Sequence, residues 1–393
     1  MNVIKFNHIN QIDQIDHTNR IDRVNSVITS FSGKKIAVYG LGVSGIKTLE
    51  LLTIIQKLLN DMGLPLMQIW VIDKKQNCYD PPEIESAKYI WVAEEDASQL
   101  LGEIDLIILA PGVPRQHPAL RLATKLKVNI WSEIELAYQF IDPKLQKIIA
   151  VTGSNGKTTT VTIIGEILKN LNFCKFFVGG NIGVPFCQWA INHLRSMQME
   201  ALEVIVLELS SFQLESIVDF HPQIAILLNL APTHQERYSS MEDYANAKFR
   251  ITMNQGAQGV QGAKDLLIYR QGHPLIDKWI QQQERQENQG HNGGAVVRSA
   301  FDEEIAIKEI AKYFSLERFR LPGKHNLENL FCAYQAVMAI SSSLDFGAAA
   351  AHNTPNISKC VQQTIDSFRG VHYRIEELEN GSRYRYLIFN DAK

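Results

Sequence analysis

No C-x-x-C pair, no unbroken basic tract and no apolar run of membrane length occurs in this 393-residue sequence, and each absence removes a class of function. The five cysteines, Cys78, Cys174, Cys187, Cys332 and Cys360, are scattered and odd in number. That pattern suits neither a disulfide framework nor a zinc knuckle, and it fits a reducing cytoplasm. Lysine and arginine total 39 against 42 acidic residues, a formal charge of -3, so the chain lacks the electrostatic footprint of a nucleic-acid binder. The longest apolar runs, Val204 to Leu209 and Ile224 to Leu230, are strand-sized and fall short of the roughly 20 residues a spanning helix needs. The stretch Met1 to Asn25 is rich in Asn, Asp and Ile and has neither the basic start nor the apolar centre of a secretory signal. Residues 1–32 are expected to be a poorly ordered extension. A cytoplasmic monomer with no nucleic-acid and no membrane partner is the expectation.

What is present is enough apolar surface, 45% of residues, for two or three globular units. From Lys34 onward short β-branched runs alternate with longer amphipathic stretches, the pattern of an α/β protein with mainly parallel sheets. A first Rossmann-like unit is expected over 33–142, with strands at Lys35–Tyr39, Gln68–Ile72 and Leu106–Leu109. Pro143 marks a linker. A central P-loop-type α/β domain then spans 143–368, with strands at Ile148–Val151, Val204–Leu209 and Ile224–Leu230 and helices from Lys157 and near Met241 to Met253. Within it, the Gln- and Gly-rich stretch 256–300 reads as a low-complexity surface excursion. A strand-like run at Tyr384–Phe389 suggests that a third Rossmann-like domain opens at 369–393 without room to fold.

Strand Ile148–Val151 runs directly into Thr152-Gly153-Ser154-Asn155-Gly156-Lys157-Thr158-Thr159-Thr160 and then an apolar helix. In that context the glycines let backbone N–H groups approach phosphate oxygens, Lys157 neutralises the outer phosphates and a threonine hydroxyl can reach magnesium. The strict G-x-x-x-x-G-K-[ST] pattern fails at its first position, which is Val151. The bland alternative is a turn with an exposed lysine, but strand, loop, GKT and helix in this order favour phosphate. The next two strands end in polar groups, Glu208-Leu209-Ser210-Ser211-Phe212-Gln213 and Asn229-Leu230-Ala231-Pro232-Thr233-His234, and in open parallel sheets such ends face the ligand crevice. On a helix capped by Ser240, spacing puts Met241, Ala245, Lys248 and Thr252 on one face, which leaves a lysine in an inward stripe. Snorkelling, with the amine in water, is the commoner outcome for such a residue. Asn326 reads as a helix N-cap.

The first unit holds Gly40-Leu41-Gly42-Val43-Ser44-Gly45 between strand and helix, with Asp73 closing the next strand. Alone, this G-x-G-x-x-G suggests a dinucleotide fold and an NAD-dependent oxidoreductase.

Taken together these segments resemble the Mur ligases, and the phrase Leu207-Glu208-Leu209-Ser210-Ser211-Phe212-Gln213-Leu214 resembles the D-glutamate-adding members. Gly179-Gly180-Asn181-Ile182-Gly183, Ala247-Lys248-Phe249-Arg250, Leu321-Pro322-Gly323-Lys324-His325-Asn326-Leu327-Glu328-Asn329 and Ala110-Pro111-Gly112 match further family segments. Thr233 departs, since the family commonly has Asp there. The resemblance implies ATP-dependent ligation of D-glutamate to UDP-N-acetylmuramoyl-L-alanine through an acyl phosphate, in cell-wall precursor synthesis. It implies ATP on Gly153 to Thr159, Asn326, Asn329, Arg374 and Asp391, and catalytic roles for Lys157, Glu208, His234, Lys248 and Lys393. Two magnesium ions would be held through Thr158, Glu208, His234 and a carbamylated Lys248. Gly42, Val43, Ser44, Asp73, Asn181, Ser211 and Gln213 would bind substrate. An alternative is an incomplete fragment that binds ATP and the UDP-sugar without joining the amino acid.

Overall fold

Apolar runs of four to seven residues become the strands of two parallel sheets. The computed structural model describes residues 11–74, 89–172, 174–196, 202–256, 265–288, 296–343, 357–371 and 375–376. These divide into two units, Met1–Leu145 with Pro185–Ala201, and Gln146–Val184 with Leu202–Lys393.

The first unit is a five-stranded sheet of β1 (Lys35–Tyr39), β2 (Gln68–Asp73), β3 (Tyr89–Ala93), β4 (Leu106–Leu109) and β5 (Asn129–Ser132). The strand order is β3-β2-β1-β4-β5 and every pairing is parallel. The chain steps outward from β1 in one direction and then crosses to β4 on the other side, so β1 and β4 flank the switch point where such sheets take ligands. Nearly every residue of β1 and β4 is buried, as expected for parallel strands covered on both faces. The helices are α1 (Gln11–Thr29), α2 (Val43–Asp61), α3 (Ala97–Leu100), α4 (Pro118–Lys125) and α5 (Glu133–Tyr138).

Over residues 11–32 helix α1 corrects the expectation of a poorly ordered extension, while residues 1–10 lie outside the described residues. Val24 and Ile28, four residues apart on one face, and Phe31 just beyond the helix are all buried, and Arg23 Nη2 donates to the carbonyl of Ile141 at 2.6 Å. Asn and Asp lower helix propensity only weakly, and a buried i, i+4 pair outweighs that loss.

The second unit begins with β6 (Gln146–Thr152), α6 (Lys157–Leu171) and β7 (Lys175–Gly180). Helix α7 (Phe186–Ser196) groups with the first unit, because its inward face of Phe186, Cys187, Trp189, Ala190 and Leu194 is buried there and Arg195 Nη2 donates to Glu50 Oε1 at 2.9 Å. This differs from a single boundary at residue 143. The second unit resumes with β8 (Glu203–Glu208), α8 (Ser211–Leu214), β9 (Ile224–Leu227), α9 (Met241–Phe249), β10 (Leu266–Arg270), α10 (Pro274–Asn288), β11 (Val297–Phe301), α11 (Glu303–Tyr313), α12 (Lys324–Ser343) and α13 (Ile357–Ser367). Its sheet is ordered β11-β10-β9-β6-β8-β7, again all parallel.

Strands β10 and β11 correct the second expectation, that 256–300 is a surface excursion. Leu267, Ile268 and Phe301 are buried in the sheet, and Ile276 and Ile280 bury one face of α10. The glutamines of 281–283 lie on that helix, and Gln is a good helix former, so its abundance marked a helix surface and not a lack of structure. Residues 257–264 and 289–295, like Tyr384–Phe389, Arg374, Asp391, Lys393 and Cys78, lie outside the described residues. If β10 is a core strand, Ile268→Ala should lower unfolding stability in urea by about 2–5 kcal/mol, whereas a surface excursion would tolerate it within about 0.5 kcal/mol.

Candidate active site

Strand β6 delivers the phosphate loop, and Gly156 makes the loop possible. Gly156 has φ of 84°, the left-handed region, and a Cβ there would lie 2.5 Å from Asn329 Oδ1. Only glycine avoids both penalties. The loop then opens directly into α6 at Lys157, so backbone N–H groups at the helix start are available to an anion.

The loop is braced from β9. The backbone N–H of Asn155 donates to Asn229 Oδ1 (2.9 Å), Asn229 Nδ2 donates back to Asn155 O (3.0 Å), and Ser154 N donates to Asn229 O (2.9 Å). Ala231 N donates to Ser154 Oγ (2.8 Å), which also lies 3.0 Å from the Tyr244 hydroxyl on α9. Asn229 and Tyr244 were not picked out as site residues from the sequence. Both carried a signal: Asn229 sits at a strand end, and Tyr244 lies four residues before Lys248 on the same helix.

Around this loop the expected residues converge. Thr158 Oγ1 donates to Glu208 Oε2 at 2.7 Å, and Asn181 Nδ2 donates to Glu208 Oε1 at 3.1 Å, with Glu208 fully buried at the end of β8. Lys157 Nζ donates to Gly153 O (3.0 Å) and Ser154 O (2.9 Å). Lys248 Nζ donates to the same Gly153 carbonyl (2.9 Å), and its side chain is 2% exposed. The snorkelling alternative fails here, because the amine ends inside the protein against the loop. Burial first, and then the neighbouring Lys157 charge, push the Lys248 ammonium well below the ordinary lysine range, with Glu208 pulling the other way.

Helix α12 closes the adjacent side. Asn326 and Asn329 are buried, Asn329 Nδ2 donates to Asn326 Oδ1 (3.1 Å) and Thr160 Oγ1 donates to Asn329 Oδ1 (3.3 Å). Asn326 Nδ2 donates to Pro322 O at 2.7 Å, and the residue lies inside α12, which begins at Lys324. It is therefore not the N-cap its sequence context suggests, because its side chain donates back to a carbonyl and accepts no backbone N–H of the first turn. His234, at φ of 56°, stacks edge-on to Phe212 with centroids 4.8 Å apart. Its Nδ1 lies 3.4 Å from Glu236 Oε1. The Arg237 guanidinium lies over the Phe212 ring, 3.8 Å from its centroid, and pairs with Glu215. Ser211 is buried, and Gln213 Oε1 accepts from Ser210 N and Oγ in a capping box at the start of α8.

In the first unit the glycine turn after β1 is equally constrained. A Cβ on Gly45 would collide with the Gly40 carbonyl oxygen, so α2 can start against the turn only with glycine there. Gly42 and Val43 are exposed and Ser44 is half-buried at the start of α2. Asp73 Oδ2 accepts from Leu41 N at 2.6 Å, which ties the end of β2 to the turn.

Among the described residues no group of three or more His, Cys, Asp and Glu could hold a metal, and no helix is long and apolar enough to cross a membrane.

The buried amine makes a pH prediction. The unfolded chain takes up a proton on Lys248 below its ordinary 10.5, while the fold resists it. Between the depressed folded value and 10.5 the unfolded state therefore binds more protons, and stability rises with pH. The urea midpoint should climb from about pH 8 to about pH 10, and Lys248→Met should flatten that climb. Equal slopes for both proteins would place the amine in water.

A family model for the Mur ligase middle domain matches residues 151–337. The UDP-N-acetylmuramoylalanine--D-glutamate ligase of Alkaliphilus oremlandii is 33% identical over 78% of this chain and 62% of its own length. That of Alkaliphilus metalliredigens is 32% identical over 92% of this chain and 72% of its own. A crystal structure of UDP-N-acetylmuramate:L-alanyl-gamma-D-glutamyl-meso-diaminopimelate ligase from Neisseria meningitides is similar at 13% identity, with a TM-score of 0.47 over 86% of this chain and 99% of that one. The chain thus spans roughly two thirds of the length of the relatives it matches in sequence. The two sequence relatives are ligases by name, which sets aside the hydride-transfer reading of the first glycine turn. The chain belongs to the Mur ligase family.

Proposed function

We propose that the chain carries out ATP-dependent ligation of D-glutamate to UDP-N-acetylmuramoyl-L-alanine through an acyl phosphate. The observation that supports this most directly is the convergence of Lys157, Thr158, Glu208 and Lys248 on one loop at the carboxyl edge of a parallel sheet.

In this reading the triphosphate lies along Gly153 to Thr159, where backbone N–H groups and the Lys157 ammonium meet its charge. The substrate carboxylate attacks the γ-phosphorus, ADP leaves, and the amine of D-glutamate then displaces phosphate from the acyl phosphate through a tetrahedral intermediate. Positioning and charge neutralisation carry most of the acceleration. Asn229, Ser154 and Tyr244 hold the loop still, so the N–H groups need no reorganisation when phosphate arrives. Asn326 and Asn329 flank the nucleoside. In the first unit the N-terminus of α2, with Gly42, Val43 and Ser44, receives the uridine diphosphate by the same device, and Asp73 orders that turn.

The donors at the loop suit magnesium. Hard oxygen ligands from Thr158 and the Glu208 carboxylate lie side by side, and magnesium takes few protein ligands when phosphates supply the rest. Such an ion, when bound, would neutralise charge on the transferring phosphoryl group. Lys248 is buried and disposed to lose its proton, so its neutral amine can add carbon dioxide and release a further proton to become a carbamate, and His234, in the segment beyond the end of β9 at Leu227, is the further candidate ligand.

Purified chain should release phosphate from ATP, with magnesium and bicarbonate, only when both UDP-N-acetylmuramoyl-L-alanine and D-glutamate are present. Lys157→Ala should lower that rate by about 10²–10³, the cost of losing a preorganised charge partner. Phosphate release indifferent to either substrate, or absent altogether, would overturn the reading.

A further inference from the structure

Arg270 closes β10, which is separated from the phosphate-loop strand β6 by β9 alone. The register sets its level along the sheet. Tyr269 pairs with Leu227, and Leu227 pairs with Thr152, so Arg270 sits one step further on, level with the start of the loop at Gly153. Two strand spacings of about 4.8 Å put its backbone roughly 10 Å from the loop along the carboxyl edge. That is about the reach from a bound β-phosphate to a nucleoside.

The side chain turns toward α12. Arg270 Nε donates to Glu328 Oε1 at 3.1 Å, and Glu328 is a largely buried carboxylate between Asn326 and Asn329. Asn329 in turn lies against Gly156 and accepts from Thr160. A guanidinium has five donors in a fixed fork. Glu328 engages only the Nε edge, no described residue accepts from either Nη, and 36% of the side chain is exposed. A nearly buried carboxylate spent on one edge of an arginine orients the plane and leaves both Nη groups without a hydrogen-bond acceptor among the described residues, with the Asp302 carboxylate near enough to feel the charge.

We propose that Arg270 is a further nucleotide-binding residue, whose guanidinium, held by Glu328, contacts the adenosine half of ATP. A planar, weakly hydrated cation stacks on an aromatic base and can donate to ribose oxygens, which a lysine ammonium does poorly. The proposal rests on the phosphate-loop reading given above and adds the element that recognises the nucleoside.

The test is calorimetric binding of ATP and of inorganic tripolyphosphate, each with magnesium, to the unaltered chain and to Arg270→Ala, Arg270→Lys and Glu328→Gln. Arg270→Ala should weaken ATP binding tenfold or more while changing tripolyphosphate binding less than twofold. Arg270→Lys should recover only part of the loss, and Glu328→Gln should weaken ATP through a less well oriented guanidinium. Equal losses for ATP and tripolyphosphate, or no loss for ATP, would overturn the assignment while leaving the phosphate loop intact. An unaltered chain that binds neither ligand would overturn the phosphate loop reading and Arg270 with it. A thermal midpoint of Arg270→Ala close to that of the unaltered chain separates a lost contact from a lost fold.

Discussion

Two lysine amines share one backbone carbonyl. Lys157 and Lys248 both donate to Gly153 O, one from the start of α6 and the other from α9. The buried amine of Lys248 has little water to stabilise a charge, and the neighbouring Lys157 ammonium repels it, so Lys248 gives up its proton more readily than an ordinary lysine. Much of the surrounding structure serves to hold this arrangement. Ser154 is fastened to the segment after β9 and to Tyr244, Asn155 is fastened to Asn229, and the ring of Tyr244 lies under the Lys248 amine at 4.7 Å. The loop is thus tied to two neighbouring elements before any phosphate arrives.

The same sheet edge collects the remaining chemistry. Parallel strands point their carboxyl ends one way, so Thr152 and Leu227 end level with each other and Glu208 ends level with Val151, one residue short of them, and the residues after them meet at one edge. Glu208 can remain buried because Thr158 and Asn181 each donate to one of its oxygens. Arg237 and Tyr238 satisfy Glu215 nearby, at 2.9 and 2.5 Å, and the guanidinium covers Phe212, against whose edge His234 packs. Arg237, Tyr238 and Phe212 therefore fix the position of His234 relative to Glu215. Arg250 acts similarly, bonding the carbonyls of Leu214 and Ile217 and so fixing the end of α8 to the turn of chain after Lys248.

Legibility in the sequence tracked how local each feature was. The strand, glycine loop and helix from Ile148 to Thr160 form one contiguous phrase, and the structure reproduces it with Gly156 in the left-handed region. Lys248 stood out because helical spacing alone placed a charge in an inward stripe, although its amine went further in than snorkelling allows. In residues 256–300 composition and pattern point in different directions: glutamine density hides a four-residue apolar run, Leu266 to Tyr269, which pairs with β9 and β11. The amino-terminal helix misled for the related reason that its inward face becomes visible only when something packs on it.

By itself the sequence determined the parallel α/β class, the phosphate loop, the glycine turn of the first unit and the family, because each is carried by short-range patterns of glycine, charge and β-branched residues. Only the tertiary structure decided which side chains hold one another: Asn229 with Asn155, Tyr244 with Ser154, Glu328 with Arg270, and α7 with the first unit. Those partners lie 58 to 90 residues apart in the three side-chain pairings. No local propensity encodes such a meeting, which arises when strand order and register bring distant strand ends and helix starts to one edge of the sheet.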